Sequence, residues 1–162
     1  MRAADLPAVV AIAQTIHTDY PEEEAVFAER LCLYPAGCHV LETSAGIGGY
    51  VISHPWIACA PPLLDTMLGA LPPQPDTFYI HDLVLRPEAR GGGAAGQIVA
   101  LLAAHAASLG LPGMALIAVG ASPSFWERQG FSAQPLPGPK LTSYGASARY
   151  MVRPLPPQSI TA

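Results

Sequence analysis

FYIHDLVLRPEARGGGAAGQI, residues 78–98, changes character twice within 21 positions. Phe78 to Leu85 is aromatic, β-branched and aliphatic, which suits a buried strand, and Pro87 and Glu88 end it. The chain then runs Arg90-Gly91-Gly92-Gly93-Ala94-Ala95 into an alanine-rich segment with helical character. Glycines let a charged ligand approach the backbone, and the first turn of a helix offers unpaired N–H groups at the positive end of its dipole. The expected result is an anion cradle, most naturally for phosphate.

Two known patterns compete for this cradle. Gly91, Gly93 and Gly96 satisfy the G-x-G-x-x-G dinucleotide fingerprint. That reading needs a strand running straight into the glycines and an acidic residue roughly 20 positions later. Instead Arg86 to Arg90 intervene, and after Glu88 the next acidic residue is Glu127. The other pattern is the acetyl-CoA pyrophosphate loop: Gln or Arg, two residues, Gly, one residue, then Gly or Ala. Arg90, Gly93 and Ala95 match it in register. With its strand, Pro-x-x-Arg-Gly turn, loop and long helix, the stretch resembles the GNAT family of N-acetyltransferases.

A chain of 162 residues suits one domain, 1–162, with a sizeable core, and 51% hydrophobic against 12% charged residues argues against disorder. Mean hydropathy is +0.31, yet no apolar run reaches the roughly 18 residues of a membrane span. The start, MRAADLP, lacks a signal-peptide pattern. The net charge of −4 gives no footprint for nucleic acid and a weak bias towards cationic substrates such as amines. Cys32, Cys38 and Cys59 are odd in number and irregularly spaced, so reduced thiols in a cytoplasm are expected. Cys38-His39 near Cys32 lacks the paired spacing of a metal site, and no metal is expected.

Asp5 can cap a helix from Leu6 to about His17, with Val9, Ile12, Ala13 and Ile16 as its apolar stripe. Pro21 and Glu22 to Glu24 open a second helix, with Ala25, Phe27, Leu31, Cys32 and Tyr34 facing inward and the acidic run read as a solvated helix start. Cys38 to Glu42 and Gly48 to Ser53 read as the central antiparallel strands, joined by a hairpin turn at Thr43 to Gly46. A proline-rich insertion comes next, at about 55–76. Leu63 to Leu71 could supply a turn or two of helix there, and Trp56, Ile57, Leu64, Met67 and Leu68 fold over a pocket or a partner. His54 and Trp56 are read first as packing and second as lining for an acceptor site.

Ala94 to Leu109 is nearly uncharged and reads as a helix buried on most sides, with His105 as a satisfied histidine. Met114 to Val119 reads as a strand, Ser124 to Gly130 as a short helix, and Ala148 to Arg153 as the closing strand after the Pro/Gly stretch Pro135 to Pro139. A frayed tail is expected after 153. The fold class is α/β (α+β): a mixed, largely antiparallel sheet flanked by helices. Ser124-Phe125-Trp126-Glu127-Arg128-Gln129-Gly130-Phe131 is similar to the Phe-Tyr-x-x-x-Gly-Phe pattern of the same family, whose usual first strand is truncated here to Met1 to Ala3.

The resemblance implies acetyl transfer from acetyl-CoA to an amine by direct attack, in a protein that is often a homodimer. Position by position, Leu83, Val84 and Leu85 would pair with the pantetheine arm. Arg90, Gly91, Gly92, Gly93, Ala94, Ala95 and Gly96 would hold the pyrophosphate, and Ser122 and Phe125 would touch pantetheine. A backbone N–H near Leu83 would polarise the thioester carbonyl. A base is also required. Period-2 alternation puts Tyr79, His81 and Leu83 on one face and Ile80, Asp82 and Val84 on the other. His81 is assigned as the base because imidazole titrates near neutrality, and Asp82 as a group that bonds backbone or orients a neighbour. The family's thiol-protonating tyrosine is Trp126 here, whose N–H has no usable acidity, which leaves Tyr144 or water for that step. A catalytically silent acyl-CoA-binding module is the alternative, and a proline-rich adaptor that binds no CoA is a third reading.

Overall fold

The computed structural model describes residues 1–136 and 141–156. In chain order its elements are α1 (Leu6–Ile16), α2 (Glu24–Leu33), β1 (Cys38–Thr43), β2 (Gly46–Trp56), β3 (Thr77–Leu85), α3 (Ala94–Ser108), β4 (Gly113–Ala118), α4 (Pro123–Arg128), β5 (Ser132–Ala133) and β6 (Arg149–Pro154). The six strands form one sheet in the order β1-β2-β3-β4-β6-β5, antiparallel except for the β3–β4 pair. One face packs on α3 and α4 through Phe78, Ile80, Val99, Leu102, Met114 and Trp126. The other packs on α1 and α2 through Val9, Ile12, Phe27, Tyr50, Ile52 and Val84. Burying an aliphatic side chain stabilises by roughly 1.5–3 kcal/mol. Val9 and Ile12, both fully buried, therefore dock α1 far more firmly than helix propensity could.

β3 departs from a regular strand in two ways. Opposite β2, Ile52 pairs with Asp82 and Ser53 with Ile80, so His81 is an extra residue with no partner across the ladder. This β-bulge reverses the alternation, because one inserted residue moves everything after it to the opposite face. Ile80 accordingly packs with the α3 side and Val84 with the α1 side, although both are even-numbered. The expected single face of Tyr79, His81 and Leu83 is corrected on this ground. The second departure is a splay. β3 pairs with β4 only from Phe78 to Ile80, then continues to Leu85 with β2 alone, while β4 turns its Ile117 and Ala118 to β6.

Several expectations change. β1 is an edge strand, not a central one. In α2 the inward residues are Val26, Phe27 and Arg30, with Ala25 and Cys32 exposed, because the helix begins at Glu24 and rotates accordingly. The Asp5 carboxylate accepts the Arg2 backbone N–H, closing a 3-10 turn before α1 in place of capping α1 itself. α3 exposes Ala100, Leu101 and Ala104, since the sheet covers only one of its faces. Pro154 belongs to β6, and Leu155 is buried with its N–H on the Pro112 carbonyl. The remainder of the expected tail beyond 156, and Pro137 to Pro139, lie outside the described residues. β5, at two residues' length, carries no sequence signal.

Leu63 to Leu71 forms no helix; β2 and β3 are bridged by an irregular excursion over 57–76. Asp76 closes its base by accepting the Ala58 N–H at 2.6 Å, and side chains of α2 hold its middle. Glu29 accepts N–H bonds from Leu68 and Gly69, both at 2.8 Å, and the buried Arg30 guanidinium bonds the Thr66 carbonyl at 2.7 Å while pairing with Glu29. At the start of α2, Asp65 accepts the Glu23 N–H at 2.7 Å. Among the described residues, no helix is long and apolar enough to cross a membrane.

Candidate active site

The glycine segment leads into α3 as the sequence suggests. Gly91 and Gly93 have φ of 87° and 79°, a left-handed backbone that costs other residues roughly 1–2 kcal/mol. Gly93 is the N-cap of α3 and no side chain caps the helix, so the Ala94, Ala95 and Gly96 N–H groups are left at its positive end. A Cβ at Gly91 or Gly92 would meet no protein atom within 4 Å. The space over the loop is thus open to a ligand, which is what a backbone cradle for an anion requires.

This segment borders a cavity of about 750 Å³ that also reaches Leu83, Leu85, Ser122, Phe125 and Trp126. Of the residues expected to hold coenzyme, Leu83, Leu85, Arg90, Gly91, Gly93, Ala94, Ala95, Gly96, Ser122 and Phe125 line it. Val84 does not; the bulge turns its side chain into the α1-side core. Gly92 is exposed beside the cavity and does not line it. Arg90 folds back, with its Nε donating to the Leu85 carbonyl at 3.1 Å.

The splay extends the cavity into the molecule. A second space, about 410 Å³, runs between β3 and β4; it shares Leu83, Arg90, Ser122 and Trp126 with the cavity and reaches His17, Tyr20, His81 and Asp82 at its other end. Those four residues, with Glu22, Leu64, Ile117, Val119 and Tyr144, enclose a small pocket of about 60 Å³. Shared walls therefore place a glycine-lined cradle and a pocket of titratable side chains at the two ends of one row of adjoining spaces, a passage between β3 and β4.

The pocket contains two histidine–carboxylate pairs. His81 Nε2 lies 2.9 Å from Glu22 Oε2, both side chains nearly buried, and Asp65 donates its backbone N–H to Glu22 Oε1 at 3.0 Å. His81 Nδ1 is buried and has no hydrogen-bond partner among the described residues. His17 Nε2 lies 3.0 Å from Asp82 Oδ1, and the Tyr50 hydroxyl donates to Asp82 Oδ2. Burial is the largest influence on Glu22 and works against its charge, but the bond to His81, the charge of that ring and the Asp65 N–H together outweigh it and lower the Glu22 pKa. Asp82 is likewise lowered: His17 and the Tyr50 hydroxyl overcome its desolvation. Desolvation of His17 is more than offset by Asp82, and its pKa is raised.

Because of the bulge, His81 and Asp82 both line the pocket, where strict alternation allows only one of them. Glu22, His17 and Tyr50 join the site without any motif that marks them in the sequence. Glu22 sits in an acidic run whose composition suits a solvated helix start; it lies instead in the non-helical segment before α2 with its side chain inward, while Glu23 and Glu24 stay exposed. No local signal announces the His17–Asp82 contact, which spans 65 positions. Tyr144 lines the small pocket and not the 750 Å³ cavity, and its hydroxyl donates to the Pro62 carbonyl at 3.0 Å. Trp126 is core, edge-on to Phe125 and Phe131, with one side on the cavity. His54 packs against Tyr79 and Trp56, and burial pushes its pKa down to about 3, so it is a neutral core ring. His105 bonds the Tyr34 hydroxyl at 2.7 Å. Burial pushes the Cys38 thiol up to about 11, an unreactive state. Among the described residues, no group of three or more His, Cys, Asp or Glu side chains could hold a metal ion.

The acetyltransferase (GNAT) family model matches residues 8–131, and the chain belongs to that family. Solved structures share the fold at low identity. A GNAT-like decarboxylase, GphF, in complex with isobutyryl-CoA superposes with a TM-score of 0.77 at 15% identity, covering 96% of this chain and 97% of that one. Ard1 from Thermoplasma volcanium gives 0.72 at 14%, covering 96% and 95%. The ribosomal-protein-S18-alanine N-acetyltransferase from Escherichia coli gives 0.66 at 16%, covering 100% and 95%. No curated protein matches the sequence.

Proposed function

We infer that this protein transfers the acetyl group of acetyl-CoA to a primary amine by direct attack within one ternary complex. The observation that carries this reading is the row of adjoining spaces between the splayed β3 and β4, with the cradle at one end and the two histidine–carboxylate pairs at the other. The N–H groups of Ala94, Ala95 and Gly96 would bind the pyrophosphate, and the unpaired edge of β3 from His81 to Leu85 would bind the pantetheine arm. Leu83 sits where the cavity and the inner passage meet, so a backbone N–H near it would stabilise charge developing on the thioester carbonyl.

His81 is the proposed base. Glu22 accepts from Nε2 and so favours the tautomer in which Nδ1 is unprotonated and free to take the amine's proton. Asp82 acts on a neighbour, fixing His17 from the opposite wall of the pocket. Tyr144 is committed to the Pro62 carbonyl and is not assigned to the leaving group. Thiols ionise near pH 8.5, so a CoA thiolate can leave and be protonated by water. The family relationship and the acetyltransferase and CoA-bound neighbours support this reading. Trp126, at the position where family members carry tyrosine, favours a second one: a module that binds acyl-CoA without turning it over.

Thermal stability with and without acetyl-CoA, followed on the same sample by thiol release against a panel of amines, separates the two. A ligand that binds only the folded state raises Tm by mass action. A Tm increase with thiol release is expected. An increase without release supports the silent module, and no increase at saturating acetyl-CoA refutes both.

A further inference from the structure

The acceptor pocket carries a charge pattern that restricts its substrate more narrowly than family membership does. Its polar lining is His17, Tyr20, Glu22, His81, Asp82 and Tyr144, with no lysine or arginine. The nearest guanidinium towards the excursion, that of Arg30, is already bonded to Glu29 and to the Thr66 carbonyl. Arg90 stands at the coenzyme end of the passage, on the Leu85 carbonyl. Each imidazole is matched by one carboxylate, His81 by Glu22 and His17 by Asp82. With both rings protonated the pocket therefore sums to zero, and with either ring neutral it is negative.

An ammonium group entering this pocket meets negative charge and the remaining lone pairs of two carboxylates, each oxygen of which already accepts one hydrogen bond, together with the tyrosine oxygens. A carboxylate on the carbon that bears the amine meets the reverse: it must lose water, it faces Glu22 and Asp82, and the two imidazoles of the pocket are already paired with those carboxylates. Leu64 and Ile117 close the pocket with apolar surface, which offers that carboxylate no substitute for solvent. Resting on the acetyltransferase reading above, we propose that the acceptor is a primary amine whose carbon bears no free carboxylate, an alkylamine, an arylalkylamine or an amide-masked amino terminus, and that Glu22 and Asp82 exclude free α-amino acids.

The test uses the unmodified protein with acetyl-CoA and matched acceptors: tyramine, tyrosinamide and tyrosine, with histamine against histidine as a second pair. Tyrosinamide keeps the bulk of tyrosine and removes its negative charge, so it separates charge from size. The expected kcat/KM for tyramine and tyrosinamide exceeds that for tyrosine by about tenfold or more, the scale of a like-charge mismatch in a closed site. Tyr20→Arg, which adds a cation at the wall shared by pocket and passage, should narrow the gap by raising the tyrosine rate. Equal or faster acetylation of the free amino acids by the unmodified protein overturns the proposal. So does a protein whose Tm rises with acetyl-CoA but which acetylates none of these acceptors. Absence of any Tm rise with acetyl-CoA refutes instead the acetyltransferase reading on which the proposal rests.

Discussion

The two ends of the β3–β4 passage are made in different ways. At the proposed coenzyme end the cradle is one continuous segment, Arg90 to Gly96, whose proposed recognition groups are backbone N–H groups and whose shape depends on Gly91 and Gly93. At the proposed acceptor end the side chains come from separate parts of the chain: His17 follows α1, Glu22 precedes α2, Tyr50 lies on β2, Leu64 comes from the excursion, and His81 and Asp82 lie on β3. The pairs that define this end join residues 59 and 65 positions apart. A backbone cradle works wherever its local conformation forms. A side-chain pocket works only if the whole sheet and both helices are placed first.

Changes at the two ends should accordingly affect different measurements. The largest effect is expected from His81→Ala, which removes the proposed base. Turnover should fall by about 10²–10⁴-fold, the usual contribution of a positioned general base, while the Tm increase produced by acetyl-CoA is retained. Unchanged turnover would remove His81 from the chemistry and shift attention to His17. At the other end, Gly93→Ala should weaken acetyl-CoA binding about tenfold, because restoring the left-handed N-cap costs an alanine roughly 1–2 kcal/mol. Calorimetric titration checks this, and saturating acetyl-CoA should return the turnover to normal. A lasting loss of turnover at saturation would mean that the two ends are not separable.

The smallest effect concerns pH. His17 has a raised pKa in the folded protein, so its pairing with Asp82 contributes stability that is fully present below the unfolded value of about 6.5 and is lost as pH rises through the folded pKa. Asp82 has a lowered pKa, and its contribution fades only as pH falls through that lower value. His17→Gln should therefore destabilise more at pH 5.5 than at pH 9, by about 1 kcal/mol or less, as expected for a partly exposed ion pair. Urea unfolding at the two pH values measures the difference. Equal loss at both would show that His17 acts through packing alone.

The excursion over 57–76 borders the proposed acceptor end through Leu64, and the turn or two of helix that Leu63 to Leu71 could supply does not form. Glu29, Arg30 and Asp65 fix it to α2 through side-chain hydrogen bonds to backbone groups, and that arrangement has no periodic signature. Hydrophobic content alone could place Leu64 over a pocket; only the anchoring side chains say which pocket.

Local sequence suffices for the strand over 77–85, the glycine turns, α3, the short helix before Phe131 and the mixed sheet, because each reflects a local preference: apolar runs, proline breaks, and the left-handed backbone that glycine permits. It suffices for the backbone cradle too, whose groups all lie within seven consecutive residues. Three features exist only once the chain has folded: the bulge at His81, the inward turn of Glu22 and the pairing of His17 with Asp82. The bulge depends on the register of β3 against β2, and a single inserted residue moves Leu83 and Val84 to opposite faces from those that alternation assigns. Glu22 and Asp82 are charged residues in a buried site, and whether such residues face solvent or a partner depends on which distant side chain the fold brings within hydrogen-bond reach.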